Sequence, residues 1–86
     1  MERFSVIVVS PNEMLYEGDA EEIVVPGQEG GMSILGRHAP LLAVLKKGTI
    51  EIINDSSQKE IDIESGFVEV SKKKASTFVN IFVRQA

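Results

Sequence analysis

Cysteine and tryptophan are absent from this 86-residue sequence, and histidine and tyrosine occur once each. Without a thiol there is no disulfide staple, no thiolate metal site and no cysteine nucleophile. A single histidine rules out a histidine-based metal site. Four phenylalanines and one tyrosine are also few for the aromatic cluster that a small-molecule site uses. Cations are scarce: nine Lys and Arg stand against thirteen Asp and Glu, for a formal net charge of −4. Between Glu2 and Glu29, seven acids face one base, Arg3. Nucleic-acid binders draw much of their affinity from neutralised phosphates. Lys46-Lys47 and Lys72-Lys73-Lys74 are runs of the length found in solvated turns, so no nucleic-acid partner is expected. Long apolar runs are missing too, so nothing spans a bilayer as a helix. Met1-Glu2-Arg3-Phe4 lacks the apolar core of a signal peptide. The expectation is a cytoplasmic chain that reaches a membrane only by docking onto other proteins.

What the sequence does contain is a period of two. Ile61 and Ile63 alternate with Glu60, Asp62 and Glu64, and Ile50 and Ile52 alternate with Thr49 and Glu51. That spacing places one set of side chains on each face of a strand. Phe4, Val6 and Val8 share one face of a first strand, with Ser5, Ile7 and Val9 on the other, so this strand is expected to be central or covered. Thr77 to Val83 is apolar on both sides, Phe78 lying opposite Val79 and Ile81, and it too needs cover from the sandwich or another chain. Turn residues punctuate these runs at Ser10-Pro11-Asn12, Gly18-Asp19, Pro26-Gly27, Lys47-Gly48, Asn54 to Ser57, Ser65-Gly66 and Ser71 to Ala75. No window carries a helical stripe. The fold class is all-β, a flattened β-sandwich or barrel of about nine to ten short strands, expected as one domain over residues 1–86.

Candidate chemistry is sparse. His38 titrates in the range useful to acid–base catalysis, but no serine or carboxylate beside it has triad spacing. A loop histidine bonded to backbone is the plainer reading. Gly27-x-x-Gly30-Gly31 invites a phosphate-loop reading, yet no Lys-Ser/Thr follows and no helix starts there, which leaves a shaped turn. Glu13, Glu17, Asp19, Glu21 and Glu22 lack calcium-loop spacing and read as a solvated edge. No catalytic residue, metal ligand or cofactor is therefore expected.

The richest segment runs from Pro26 to Leu42, with four glycines, a proline at each end and the lone histidine. Its parts, Ile23-Val24-Val25-Pro26-Gly27, Glu29-Gly30-Gly31-Met32-Ser33-Ile34-Leu35 and His38-Ala39-Pro40-Leu41-Leu42, occur in a fixed order. They follow Val8-Val9-Ser10-Pro11 and Leu15-Tyr16-Glu17-Gly18, and precede Lys47-Gly48-Thr49-Ile50 and Ser65-Gly66-Phe67-Val68-Glu69-Val70. This series resembles the N-terminal β-sandwich domain of the epsilon subunit of F-type ATP synthase, over roughly Phe4 to Val83. The chain departs from the family pattern at Gly31, Ser33 and Gly36-Arg37, and it has one glycine fewer after Ser65.

The resemblance implies a non-catalytic rotor subunit at the foot of the central stalk. Its partners would be the gamma subunit and the c-ring, with membrane association only through the complex. It implies a gamma interface at Ser10, His38, Ala39, Pro40 and Leu42, and a c-ring-facing loop at Glu29, Gly30, Gly31 and Met32. The implied location is the cytoplasmic face of the bacterial inner membrane. Family members commonly continue into a C-terminal helical hairpin that inhibits hydrolysis and in some binds ATP. This sequence ends before it, so neither that inhibition nor nucleotide binding is carried over. The alternative is a free-standing β-sandwich that binds a small ligand or peptide.

Overall fold

Alternating β-branched residues build several of the strands. A computed structural model describes residues 2–85; Met1 and Ala86, the ends of the expected 1–86 domain, lie outside the described residues. Eight strands follow in chain order: β1 (Phe4–Val9), β2 (Met14–Ala20), β3 (Glu22–Gly27), β4 (Gly30–Leu35), β5 (Leu41–Leu45), β6 (Gly48–Asn54), β7 (Ser57–Lys73) and β8 (Ser76–Gln85). The all-β class holds. The strand number is eight rather than nine to ten, because β7 is one continuous 17-residue strand.

The hydrogen-bonded order is β2-β1-β8-β7-β5-β3-β4, with β6 bridging β3 and β7. All ladders are antiparallel except the one between β1 and β8, which is parallel. The first half of β7 pairs with β6, while its second half pairs with β5. That strand therefore turns the corner between two layers, and the contact of Gly27 with Leu45 joins them again at β3 and β5. One layer turns Val6, Val8, Val68, Val70, Val79 and Ile81 inward; the other contributes Ile23, Val25, Ile34, Ile50, Ile52, Ile61 and Ile63. Each such side chain removed from water stabilises by about 1.5–3 kcal/mol, against the entropy of ordering the chain.

Two expected turns prove to be interior to strands, each for a local reason, while Pro26-Gly27 closes its strand as expected. Gly18-Asp19 does not end β2: Gly18 pairs with Val6, and the Tyr16 ring lies over it, its hydroxyl donating to the Asp19 carbonyl at 2.8 Å. Pro26 lacks an N–H, but its carbonyl accepts from Lys46 N at 2.9 Å, so β3 continues to Gly27.

Ser65-Gly66 is a bulge. Inward residues of β7 are odd-numbered before it (Ile61, Ile63) and even-numbered after it (Val68, Val70). The register moves from Ile63↔Gln85 to Ser65↔Arg84, with Glu64 passed over, and this extra residue switches the parity. Gly66 sits where a Cβ would lie 2.5 Å from the Phe82 carbonyl oxygen, so only glycine permits the close approach of β8.

Candidate docking face

Strand alternation that fills the core must also fill the opposite face, and here that face carries an apolar row. The registers place Met14, Val9, Phe82, Phe67 and Val44 opposite one another in a row across β2, β1, β8, β7 and β5. The next row on the same face holds Glu17, Ile7, Asn80, Glu69 and Leu42. Leu42 is 70% exposed, Val44 54%, Met14 50%, Phe67 44% and Phe82 40%. Phe67 and Phe82 stack with centroids 4.9 Å apart, which holds both rings in fixed positions on the surface. A groove of about 320 Å³ opens beside them, lined also by Val9, Ser10 and Pro11.

The residues singled out in the sequence border this face. Pro40, exposed, leads straight into β5, whose Leu42 and Val44 point outward. The preceding loop is held by its backbone: His38 N donates to the Leu35 carbonyl at 2.9 Å, and the His38 ring Nδ1 donates to the Ala39 carbonyl at 2.8 Å. His38 is half-buried and Ala39 exposed. Underneath, the buried Thr77 hydroxyl donates to the Gly36 carbonyl at 2.7 Å.

Ser10 lies at the other end of the face, just past Val9. Its hydroxyl donates to the Glu13 carbonyl at 3.3 Å and accepts from the Glu13 and Asn12 amides at 3.2 and 3.4 Å. That hydroxyl closes a turn. By strand geometry Ser10 and His38 stand roughly 20 Å apart along the strands, so they form no nucleophile–base pair.

Glu29 occupies the tip of the β3–β4 hairpin. Gly27 pairs with Gly30 around the two-residue turn Gln28-Glu29. Gly30 has φ 136°, closed to ordinary side chains, and a Cβ on Gly27 would lie 2.6 Å from the Gly30 carbonyl oxygen. Gln28 N donates to the Val44 carbonyl at 3.0 Å, which ties the tip to β5. A second groove of about 320 Å³ lies between this tip and Leu42 and Val44. Glu29, Gly30 and Gly31 are exposed, whereas Met32 packs partly against the core.

The acids Glu13, Glu17, Asp19, Glu21 and Glu22 run along and beside β2 into the start of β3, but they are not all solvated as expected: Glu21, between the two strands, is buried. Among the described residues no three His, Cys, Asp or Glu side chains gather as a metal site. Nor, among those residues, is any helix long and apolar enough to cross a membrane.

Of the residues expected at interfaces, Ser10, His38 to Pro40, Leu42 and Glu29 stand at the margins of this face. Phe67 and Val44 at its centre were not singled out, and Phe82 only as part of the doubly apolar run Thr77 to Val83. The signal available was the double-sided apolarity of β8, where Phe78 and Phe82 oppose the buried Val79, Ile81 and Val83.

Comparison with known proteins gives these features a context. Residues 3–85 match the family model described as the ATP synthase, Delta/Epsilon chain, beta-sandwich domain. The ATP synthase epsilon chain of Leptospira borgpetersenii serovar Hardjo-bovis (strain JB197) is 43% identical over 74 residues, covering 86% of this chain and 58% of that relative. The ATP synthase epsilon chain of Chlorobium limicola is 38% identical over 73 residues, covering 84% of this chain and 83% of that one. The chain thus spans somewhat over half the length of the Leptospira relative. In solved structures, a chain of the Euglena gracilis mitochondrial ATP synthase OSCP/F1/c-ring assembly superposes with a TM-score of 0.83 at 19% identity, covering 94% of this chain and 50% of that chain. A chain of the Tetrahymena thermophila mitochondrial ATP synthase central stalk/c-ring assembly gives a TM-score of 0.75 at 19% identity, covering 95% and 63%. At that identity these two likenesses establish the fold.

Proposed function

The chain belongs to the ATP synthase Delta/Epsilon-chain beta-sandwich family, and from that premise we propose that it is a non-catalytic subunit of the central stalk, coupling c-ring rotation to the catalytic head. In this reading the apolar outer face of β1, β8, β7 and β5 docks the gamma subunit, and the Glu29 hairpin tip meets the polar loops of the c-ring. The chain works peripherally, at the cytoplasmic face of a bacterial inner membrane.

The observation that carries the reading is the transverse row Met14-Val9-Phe82-Phe67-Val44. Isolated exposed apolar residues are ordinary, but a contiguous patch centred on aromatics fits a protein interface. Its borders suit two partners at once. Leu42 and the His38-Ala39-Pro40 loop extend the apolar surface at its β5 side, and the glycine-flanked acidic tip stands beside them, across a groove from Leu42 and Val44. Glu29 would set orientation there more than affinity, as rim charges do. A joint that transmits torque must not shear, and the ladders joining both layers supply that stiffness without any reactive side chain. Flat, open grooves suit such a partner better than a small ligand, which favours an enclosed pocket.

Mixing the purified chain with its cognate gamma subunit tests the proposal. A one-to-one complex is expected at micromolar concentration. Absence of a complex with both proteins folded overturns it. Aspartate at Leu42 should weaken that complex by tenfold or more, since it places a charge inside a desolvated contact.

A further inference from the structure

Strand β8 turns four side chains inward: Thr77, Val79, Ile81 and Val83. Three are aliphatic, as a core column requires; the first carries a hydroxyl although it is only 5% exposed. Valine has nearly the same shape, so packing alone gives no reason for the oxygen. What the oxygen does is donate to the Gly36 carbonyl at 2.7 Å, across 41 residues of sequence. Gly36 is itself buried, and a Cβ there would lie 3.1 Å from the Glu2 carbonyl oxygen and 3.2 Å from the Glu2 Cβ. The loop is therefore gripped between the N-terminal segment and β8. A second link, Arg37 Nε to Glu2 Oε1 at 3.3 Å, joins exposed side chains. Exposed ion pairs hold little, whereas a buried carbonyl deprived of its donor is costly. The Thr77 bond is the clamp of consequence.

We infer that Thr77 is a positioning residue for gamma docking: its buried hydroxyl fixes Gly36, and so sets the height and direction at which His38, Ala39 and Pro40 stand beside the apolar face. The inference rests on the gamma-docking reading. Its logic is one of registration. The next residue on β8, Phe78, points to the outer face, as does Phe82 further along. One strand thus carries both the docking surface and the tether of its flanking loop. Without the tether, the loop keeps the exposed Arg37–Glu2 pair and the bonds of His38 to Leu35 and Ala39, which close only local turns. The loop would then sample several positions relative to the face, and binding would have to select one of them.

The test compares Thr77→Val, which keeps shape and removes the hydroxyl, with Thr77→Ser, which keeps the hydroxyl and removes a methyl group. Two quantities are read on the full chain at a temperature where each variant is folded. The first is amide hydrogen exchange at Arg37 and His38 without any partner. The second is affinity for the cognate gamma subunit. Thr77→Val should speed exchange at these amides and weaken gamma binding, each by about five- to tenfold, the usual worth of one neutral hydrogen bond. Thr77→Ser should stay within about twofold of the parent in both, since its hydroxyl can make the same bond. Equal losses in the two variants would mean that the methyl packing matters and the bond does not, and would overturn the inference. So would unchanged exchange in Thr77→Val, or faster exchange with unaltered affinity. If Thr77→Val fails to fold, loss of His38 protection in Thr77→Ser overturns it alone, and parental protection there upholds the tether. If the parent chain itself binds no gamma subunit, the docking reading falls, while the exchange arm still decides whether Thr77 holds the loop.

Discussion

The two outer faces of the sandwich share one strand, β7, and meet water on different terms. Along its first half the outward residues are polar and bonded to one another. Thr49 Oγ1 donates to Asp62 Oδ1 at 2.8 Å, and Gln58 Nε2 to Glu51 Oε1 at 2.8 Å and to Glu60 Oε2 at 3.3 Å. Along its second half Phe67 and Glu69 turn outward, Phe67 stacked on Phe82 and flanked by Val44. The first surface is complete in solvent. The second leaves apolar area that a folded monomer has no reason to display. Stability alone accounts for one face, and in the proposed reading a partner covers the other.

The comparison depends on the bulge at Ser65-Gly66, so deleting Ser65 should do the most damage. Without the extra residue, one half of β7 turns its charged or polar set into the core. The cost exceeds the 5–15 kcal/mol that holds a typical domain together, and no cooperative thermal transition should remain. A deletion variant that still melts cooperatively would show that parity is not what the bulge sets. Phe67→Ala comes next. Gamma affinity should fall about 30-fold or more, as for a central aromatic anchor, while chemical denaturation shifts by less than about 1.5 kcal/mol, the most that the lost ring stacking is worth. The matched change on the polar face, Asp62→Ala, should leave gamma affinity within about twofold and cost at most about 1 kcal/mol. Equal losses of affinity from the two faces would erase the distinction. The smallest effect belongs to neither face. Lys74, at the β7–β8 turn, has φ 58°, so Lys74→Gly should stabilise by about 0.5 kcal/mol with no change in binding, the relief of strain being partly offset by entropy.

The all-β class and most core residues were legible because burial follows alternation. Ile50, Ile52, Ile61 and Ile63 alternate with charged or hydroxyl residues and are all buried. The turns were less legible at Gly18 and Gly66. Sequence shows that a side chain is missing, but not whether the absence serves a bend or a close approach, and here a ring or a neighbouring strand occupies the space. The parity change between Ile63 and Val68 was the available clue to the bulge, though a turn explains it equally well until the register is known. The docking face was half legible. Its loops stand out by composition, whereas Phe67 and Val44 look like core residues, because one chain cannot tell apolar area covered by itself from area awaiting another protein.

The parallel pairing of β1 with β8 has a consequence for how the molecule comes into being. Both strands lie inside their layer, between β2 and β7, so the first and last strands meet in its middle. An emerging polypeptide that has reached only Lys73 possesses β1 and β7 but not the strand between them. That layer cannot close until Ser76 to Gln85 have left the ribosome. Local hairpins form early, yet cooperative folding waits for the longest-range strand pairing among the described residues, which slows it.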